Sequence, residues 1–250
     1  MKDTNAPSTD QSRKSAVIAM ADGSSWNILQ PRVKDVKIEN IMAGLARTCR
    51  WGGQIREDID FLSVAEHSAV MCIWAIRSGE ARTYEEAACI ALHDAAEGIL
   101  GGDMISPLKA LNPEYKRIET LTQETINAAF GIPVVFSDAM RPTFKRLDTR
   151  IQLDERETVM FDPARTRGKE RVFKENPGIS MLGVRLPCLS PRAAFGMFAE
   201  TFLYCLEELP ATSPLTPAAR DASTALRARG FEPRLHELEE LDPASCELGL

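Results

Sequence analysis

A histidine and an aspartate, His93 and Asp94, stand side by side in an apolar run over residues 87–100 that is predicted to be helical. Burying an ionised carboxylate without a partner is costly and shifts its pKa. The pair therefore indicates a divalent metal ion, a hydrogen-bond network or a catalytic group. The chain has two other histidines, His67 and His236, with which such a site could be built.

His67 lies near the start of the preceding predicted helix, which runs from about residue 64 to residue 77. A short turn over residues 78–82 leads to the next helix, which begins at the capping sequence Thr83-Tyr84-Glu85-Glu86 and carries His93. Helices joined by a short turn pack antiparallel. The start of the first helix and the end of the second then lie together, so both imidazoles could bind one ion at roughly 2.0–2.2 Å.

A further ligand is expected to be a carboxylate from another helix. The predicted helix over residues 141–161 offers Asp148 and, as an alternative, Asp154. Periodicity does not separate the two, because Leu147 and Ile151 flank both faces. An aspartate among basic neighbours is also typical of a solvated helix surface.

The remaining pattern is that of an all-α protein, a helical bundle with long polar N- and C-terminal tails. A polar N-terminus predicts a flexible tail over residues 1–23, and a short extended segment or small hairpin surrounds Trp26. Further helices are predicted over residues 38–47, from Asn112-Pro113 to Gly131, from Ser190-Pro191 to Glu208, and over residues 217–229. A folded domain is expected over residues 24–210, and residues 211–250 form an extension of unknown role.

Composition excludes several classes of protein. The 250 residues are 44% hydrophobic and 26% charged, which is ordinary for a globular protein. No apolar run approaches the roughly 18 residues of a membrane span, and the first 15 residues lack the apolar core of a secretory signal. The six cysteines show no CxxC spacing, which predicts reduced thiols in the cytoplasm. A net charge of −6 argues against binding of polymeric nucleic acid.

Taken in order, the motifs resemble a known family. The segments are S-V-A-E-H-S at 63–68, H-D-A-A-E at 93–97, G-D-M-I-S-P-L-K at 102–109 and K-R-L-D at 145–148. They are similar to the HD-domain metal-dependent phosphohydrolases, whose signature is H…HD…D, and above all to bacterial 5′-deoxynucleotidases and phage-type deoxynucleotide phosphohydrolases. The resemblance covers roughly residues 24–210 and implies that they form an HD-type helical domain.

The resemblance implies that His67, His93, Asp94 and Asp148 bind one divalent metal ion per chain, which could be Co, Mn, Mg, Zn or Fe. Glu97 corresponds to the residue that transfers a proton in this family. Its spacing of three from Asp94 and four from His93 also places it on their side of a helix.

The resemblance also assigns residues that contact the substrate. The resemblance implies that Arg50 and Lys109 contact phosphate, that Trp51 packs against the sugar or base, and that Asp103 contacts the deoxyribose hydroxyl. Trp51 is equally typical of a core aromatic residue. Gly101-Gly102 adds one residue before Asp103 relative to the family pattern, and the residues after Pro210 have no counterpart there.

The implied reaction is release of phosphate from deoxynucleoside 5′-monophosphates, a small-molecule substrate. One alternative is hydrolysis of deoxynucleoside triphosphates with release of triphosphate or pyrophosphate. Another is an HD module that binds a nucleotide without turnover. The resemblance also implies a homodimer, and we expect no membrane partner.

Overall fold

The computed structural model of the protein describes residues 16–160 and 178–241, and it confirms a mostly helical chain. The helices are α1 (Ile38–Leu45), α2 (Val64–Ser78), α3 (Tyr84–Ala91), α4 (Ala95–Leu100), α5 (Ser106–Leu111), α6 (Pro113–Ala129), α7 (Val134–Val159), α8 (Pro191–Glu207) and α9 (Thr216–Ala228). Short 3₁₀ turns form at Val33–Asp35 and Arg50–Gly53. No helix of the described ranges is both long and apolar enough to cross a membrane.

Two small antiparallel ribbons accompany the helices. Strand β1 (Val17–Ala19) pairs with β2 (Ser25–Asn27), and β3 (Val184–Arg185) pairs with β4 (Glu239–Glu240). The first ribbon is the hairpin expected around Trp26, whose side chain is fully buried. Because Ile18 pairs with Trp26, residues 17–23 belong to this hairpin and not to the flexible tail predicted for residues 1–23. Residues 1–15 lie outside the described ranges.

Helix α2 occupies the centre of the bundle. The Ser63 hydroxyl accepts a hydrogen bond from the Glu66 amide at its N-terminus, and Gly79 ends the helix with a left-handed φ of 73°. Its side chains from Val64 to Met71 are buried without interruption, since α3, α7 and α8 all pack on it. A helix that is buried all round gives any polar side chain on it a fixed, dry environment.

The C-terminal region is integrated into this bundle. Helix α9 packs on α8 and buries Leu226, while the Arg227 guanidinium binds the Glu207 carboxylate through two contacts of 2.8 and 2.9 Å. Strand β4 then pairs with β3. Residues 211–241 of the predicted C-terminal extension are therefore part of the folded unit, whereas residues 242–250 lie outside the described ranges.

Two helices differ from their predicted bounds. Helix α7 begins at Val134 instead of Arg141 and continues through Pro142, although proline lacks the amide hydrogen of a helix interior. The single helix predicted to carry His93 and Asp94 is interrupted, because α3 ends at Ala91 and α4 begins at Ala95. His93 and Asp94 therefore lie in the break between two helices.

Helices α1 and α4 approach each other through glycines. A Cβ atom placed on Gly44 would lie only 1.7 Å from the carbonyl oxygen of Gly98, which is far inside van der Waals contact. Gly98 directly follows Glu97, and α1 leads into the turn that contains Arg50. This close backbone contact thus sets the distance between two of the predicted site residues.

We predict that Gly44→Ala lowers the free energy of unfolding by about 1–3 kcal/mol or more, because the added methyl group must push α1 away from α4. Gly102→Ala is the matched control, because a Cβ atom there meets nothing within 4 Å. Urea unfolding of both variants measures the difference. Equal stability of the two variants would contradict the close contact.

Candidate metal centre and adjoining cavity

The two histidines converge as the antiparallel arrangement of α2 and α3 predicts, with ring centroids 5.4 Å apart. Each ring is oriented by its Nδ1 atom. In His67 that atom lies 2.6 Å from Glu155 Oε1, and in His93 it lies 2.8 Å from the carbonyl oxygen of Ile90. Both partners accept hydrogen bonds, so Nδ1 donates in each ring and the Nε2 atom of each ring is left to face the site.

Both Nε2 atoms are buried and have no hydrogen-bond partner among the described residues. Carboxylate oxygens face them instead. Asp94 Oδ2 lies 3.1 Å from His93 Nε2 and 3.8 Å from His67 Nε2, and Asp148 Oδ1 lies 3.5 Å from His67 Nε2. Acceptor atoms that face one another at these distances repel unless a proton or a metal ion lies between them.

The donor atoms have the spacing of a metal site. One ligand atom each from His67, His93 and Asp148 lie within 4.8 Å of one another. Ligands of one ion at metal distances of 2.0–2.2 Å are roughly 3–4 Å apart, and imidazole with carboxylate is a usual donor set for a divalent ion. These three residues could therefore hold a metal ion, and Asp94 stands beside them.

The pKa shifts of His93 and Asp94 also indicate that positive charge is favoured at this site. Burial disfavours the charged form of His93, but the adjacent Asp94 carboxylate outweighs burial and raises the pKa of this histidine. Burial likewise opposes ionisation of Asp94, yet His93 and His67 hold its pKa well below the usual range. A cation shared by these groups satisfies both effects.

Glu155 is a site residue that the sequence reasoning missed. It lies on α7 two helical turns after Asp148 and is fully buried. Its carboxylate accepts hydrogen bonds from His67 Nδ1 and from Arg50 Nε and Nη2, the latter at 3.2 and 3.1 Å. Burial opposes its charge, but Arg50 and His67 prevail and lower the pKa of Glu155 to about 2. The i, i+7 spacing from Asp148 was the only signal in the sequence.

The two aspartates left open as ligands have separate positions. Asp148 faces His67, whereas Asp154 accepts hydrogen bonds from the backbone amides of Leu182, Gly183 and Val184 at 2.7–2.8 Å. Asp154 therefore fastens the segment before β3 to helix α7. Among the two alternatives, Asp148 alone belongs to the site.

Glu97 lies on α4 and is only 4% exposed. Its Oε1 atom is 3.4 Å from Lys109 Nζ, and its Oε2 atom has no hydrogen-bond partner among the described residues. Burial, followed by the charges of Asp94 and Asp103, raises the pKa of Glu97 well above its usual value. Burial and the two neighbouring carboxylates thus favour the protonated form of Glu97, and a bound cation would act in the opposite direction.

A cavity of about 300 Å³ opens beside these groups. His93, Asp94, Glu97 and Lys109 line one side of it, and Arg141 and Phe144 of α7 line another. The volume is at the lower end of the range for small-molecule sites. A small ligand in this cavity could therefore contact His93, Asp94 and Glu97.

Arg50 and Asp103 lie beside the metal centre, where both are bound to protein groups. Arg50 Nη1 donates to Asp103 Oδ2 at 3.2 Å, while its other nitrogens face Glu155 and, at 3.8 Å, Asp148. The additional residue before Asp103 is accommodated because Gly101 ends α4 in a left-handed conformation with φ 75°. The phosphate and sugar contacts assigned to Arg50 and Asp103 stay predictions.

Trp51 and Lys109 have other immediate partners. Trp51 has a φ of 59° and packs with Ile55 against a small apolar cluster formed by Leu62, Val159 and Leu186. Lys109 Nζ lies 2.7 Å from Glu119 Oε1 in addition to its contact with Glu97. In this structure Trp51 is packed as a core aromatic residue would be. Lys109, in contrast, lines the cavity.

Comparison with known proteins gives relatives but no activity. No protein-family model matches the chain. An uncharacterized protein of Rhodobacter capsulatus is 30% identical over 181 residues, which are 70% of this chain and 90% of the relative. The uncharacterized protein YfdR of Escherichia coli is 32% identical over 168 residues, which are 67% of this chain and 83% of that protein. The chain belongs to the family that these two proteins represent.

We predict that Glu155→Gln lowers the free energy of unfolding by about 3–5 kcal/mol at pH 7, because it leaves the buried Arg50 charge without its principal partner. Since the pKa of Glu155 is depressed, its stabilisation is complete above about pH 4.5 and is lost as the pH falls toward about 2.

Urea unfolding of the metal-free protein at pH 7, 4 and 3 tests this. The difference between wild type and Glu155→Gln should shrink as the pH falls. Glu124→Gln, which changes an exposed carboxylate of α6, is the control and should have little effect. A difference that does not change with pH would contradict the role of Glu155 as an ionised partner.

Proposed function

We propose that the protein is a divalent-metal-dependent phosphohydrolase that releases phosphate from deoxynucleoside 5′-monophosphates. One observation carries the proposal. Two buried imidazole Nε2 atoms, which have no hydrogen-bond partner among the described residues, face the carboxylates of Asp94 and Asp148, and Glu97 lines the same cavity as His93 and Asp94. The resemblance to HD-domain phosphohydrolases supplies the expected substrate class.

In this proposal His67, His93, Asp94 and Asp148 hold the cation. When bound, a divalent ion supplies a Lewis acid for the phosphoryl oxygens and lowers the pKa of water. The chain itself sets the orientation of the ligands, since Glu155 fixes the ring of His67 and the Ile90 carbonyl fixes the ring of His93.

Glu97 is the proposed proton-transfer residue. Hydrolysis forms a bond between the water oxygen and phosphorus and breaks the bond between phosphorus and the 5′ oxygen. One proton passes overall from water to the departing oxygen. Glu97 is a buried carboxyl group on the cavity wall with a raised pKa, which suits it to carry that proton. Such proton transfer accelerates reactions by about 10²–10⁴-fold.

Charge around the cavity favours a monophosphate over a triphosphate. Among the described residues that line it, five carry carboxylates and only two, Lys109 and Arg141, carry permanent positive charge. Lys109 is already paired with Glu119 and Glu97. A triphosphate brings more negative charge into this acidic setting than a monophosphate does. We therefore place deoxynucleoside triphosphates second.

We predict different losses from two substitutions in the site. Asp94→Ala should lose both metal and activity, because it removes a carboxylate that faces both Nε2 atoms. Glu97→Gln should keep the metal and lower kcat by about 10²–10⁴-fold. Metal content by mass spectrometry and single-turnover rates separate the two effects. Equal loss of metal in both variants would make Glu97 a ligand and contradict the proton-transfer role.

The substrate is tested with the full chain after loading with Co²⁺, Mn²⁺ or Mg²⁺. Deoxynucleoside mono-, di- and triphosphates are supplied separately, and the product is identified as phosphate, pyrophosphate or triphosphate. We expect phosphate from monophosphates. Release of triphosphate would establish the alternative reaction, and metal and nucleotide binding without any product would indicate a binding module.

A further inference from the structure

The break between α3 and α4 is what allows His93 and Asp94 to aim at one point. Successive residues of a continuous helix diverge by about 100° around its axis, so adjacent side chains do not face each other. In the break, Asp94 has φ −108° and ψ 19°, and its carboxylate lies 3.1 Å from His93 Nε2. The break therefore replaces helical geometry with a convergent pair.

One side chain from another helix completes the hydrogen bonding of this break. Gln123 of α6 donates from Nε2 to the carbonyl oxygen of Leu92 at 2.9 Å. Its Oε1 atom accepts a hydrogen bond from the amide of Ala96 at 3.0 Å. Leu92 caps the end of α3, and Ala96 lies in the first turn of α4, so one amide group bridges the two sides of the break.

The orientation of Gln123 is itself determined by its partners. Nε2 also donates to Asn127 Oδ1 at 3.0 Å, and Asn127 Nδ2 donates to the Ser137 hydroxyl at 3.2 Å. The Gln123 amide group therefore makes three hydrogen bonds, two donated by Nε2 and one accepted by Oε1. A carbonyl on one side and an amide N–H on the other permit only one orientation of this side chain.

We infer that Gln123 is a positioning residue of the metal centre, which holds the α3–α4 break in the conformation that presents His93 and Asp94 together. The inference rests on the metal site of the proposed function but is independent of the substrate. Nothing in the motifs identified Gln123, because it lies outside them and its hydrogen bonds reach the backbone of the break and Asn127.

Gln123→Met is the principal test, since methionine has a similar length and can form none of the three hydrogen bonds. Thr125→Val is the matched control. It removes a hydrogen bond of the same helix, from the Thr125 hydroxyl to the Leu121 carbonyl, without reaching the break. We expect Gln123→Met to weaken Co²⁺ binding by about tenfold or more, in the range of residues that orient ligands. Thr125→Val should bind Co²⁺ as the wild type does.

Hydrogen exchange of the Ala96 amide in the metal-free protein gives a readout that does not depend on metal. Gln123→Met should accelerate this exchange while amides at the centre of α2 stay protected. Gln123→Glu keeps the acceptor for Ala96 but loses both donated bonds, so it should protect the Ala96 amide and still weaken Co²⁺ binding.

The outcomes separate the inference from the proposed function. Wild-type Co²⁺ affinity in Gln123→Met, or a loss equal to that in Thr125→Val, would overturn the positioning role. If the wild type binds no metal, the proposed function fails. Unchanged hydrogen exchange of the Ala96 amide in Gln123→Met would overturn the inference on its own. Should Gln123→Met fail to fold, Asn127→Ala leaves Gln123 in place and should weaken Co²⁺ binding to a lesser extent; unchanged affinity there would count against the inference.

Discussion

Mutual repulsion among closely spaced acceptor atoms is the physical constraint that defines the candidate metal centre. The Nε2 atoms of His67 and His93 and the carboxylates of Asp94 and Asp148 face one another at 3.1–3.8 Å. Neither nitrogen has a hydrogen-bond partner among the described residues. When packing brings such groups together, a positive charge is needed to compensate their repulsion. This demand, more than any single motif, makes a cation site the natural interpretation.

The surrounding helices hold these acceptors in place against that repulsion. Helix α2 is buried from Val64 to Met71 and carries His67, whose Nδ1 atom is bound by Glu155, and Glu155 in turn accepts a buried hydrogen bond from Arg50. Helix α4 is pressed onto α1 through Gly44 and Gly98, which places Glu97 beside the ligands. The network of Gln123 and Asn127 supports the remaining break. Each support comes from a different part of the chain, so the site exists only in the assembled bundle.

Local signals in the sequence predicted the helices well. Hydroxyl caps act within three residues, and the predicted caps Thr83 and Ser190 each accept an amide hydrogen bond at a helix start in the structure. The short turn between α2 and α3 was enough to bring His67 and His93 together. The resemblance selected Asp148 over Asp154, and the structure places only Asp148 near the histidines.

Non-local interactions were beyond sequence reasoning. The sequence predicted one continuous helix over residues 87–100, because they are almost uniformly apolar. The side-chain amide of Gln123, which supports the break, lies on α6. Glu155 is hidden among charged neighbours, and its burial follows only from its pairing with Arg50. Residues 211–241 looked like a polar extension, although α9 packs on the preceding helix α8 and also contacts α1, and β4 pairs with β3, which lies far away in sequence.

X-ray absorption of the Co²⁺-loaded protein tests the central claim most directly. We predict a single class of bound Co²⁺ whose spectrum shows scattering from two imidazole rings with the remaining ligands oxygen, at metal distances of about 2.0–2.2 Å. A His67→Ala, His93→Ala double variant should lose the bound Co²⁺. Bound Co²⁺ without imidazole scattering in the wild type would contradict a metal centre built on these two histidines.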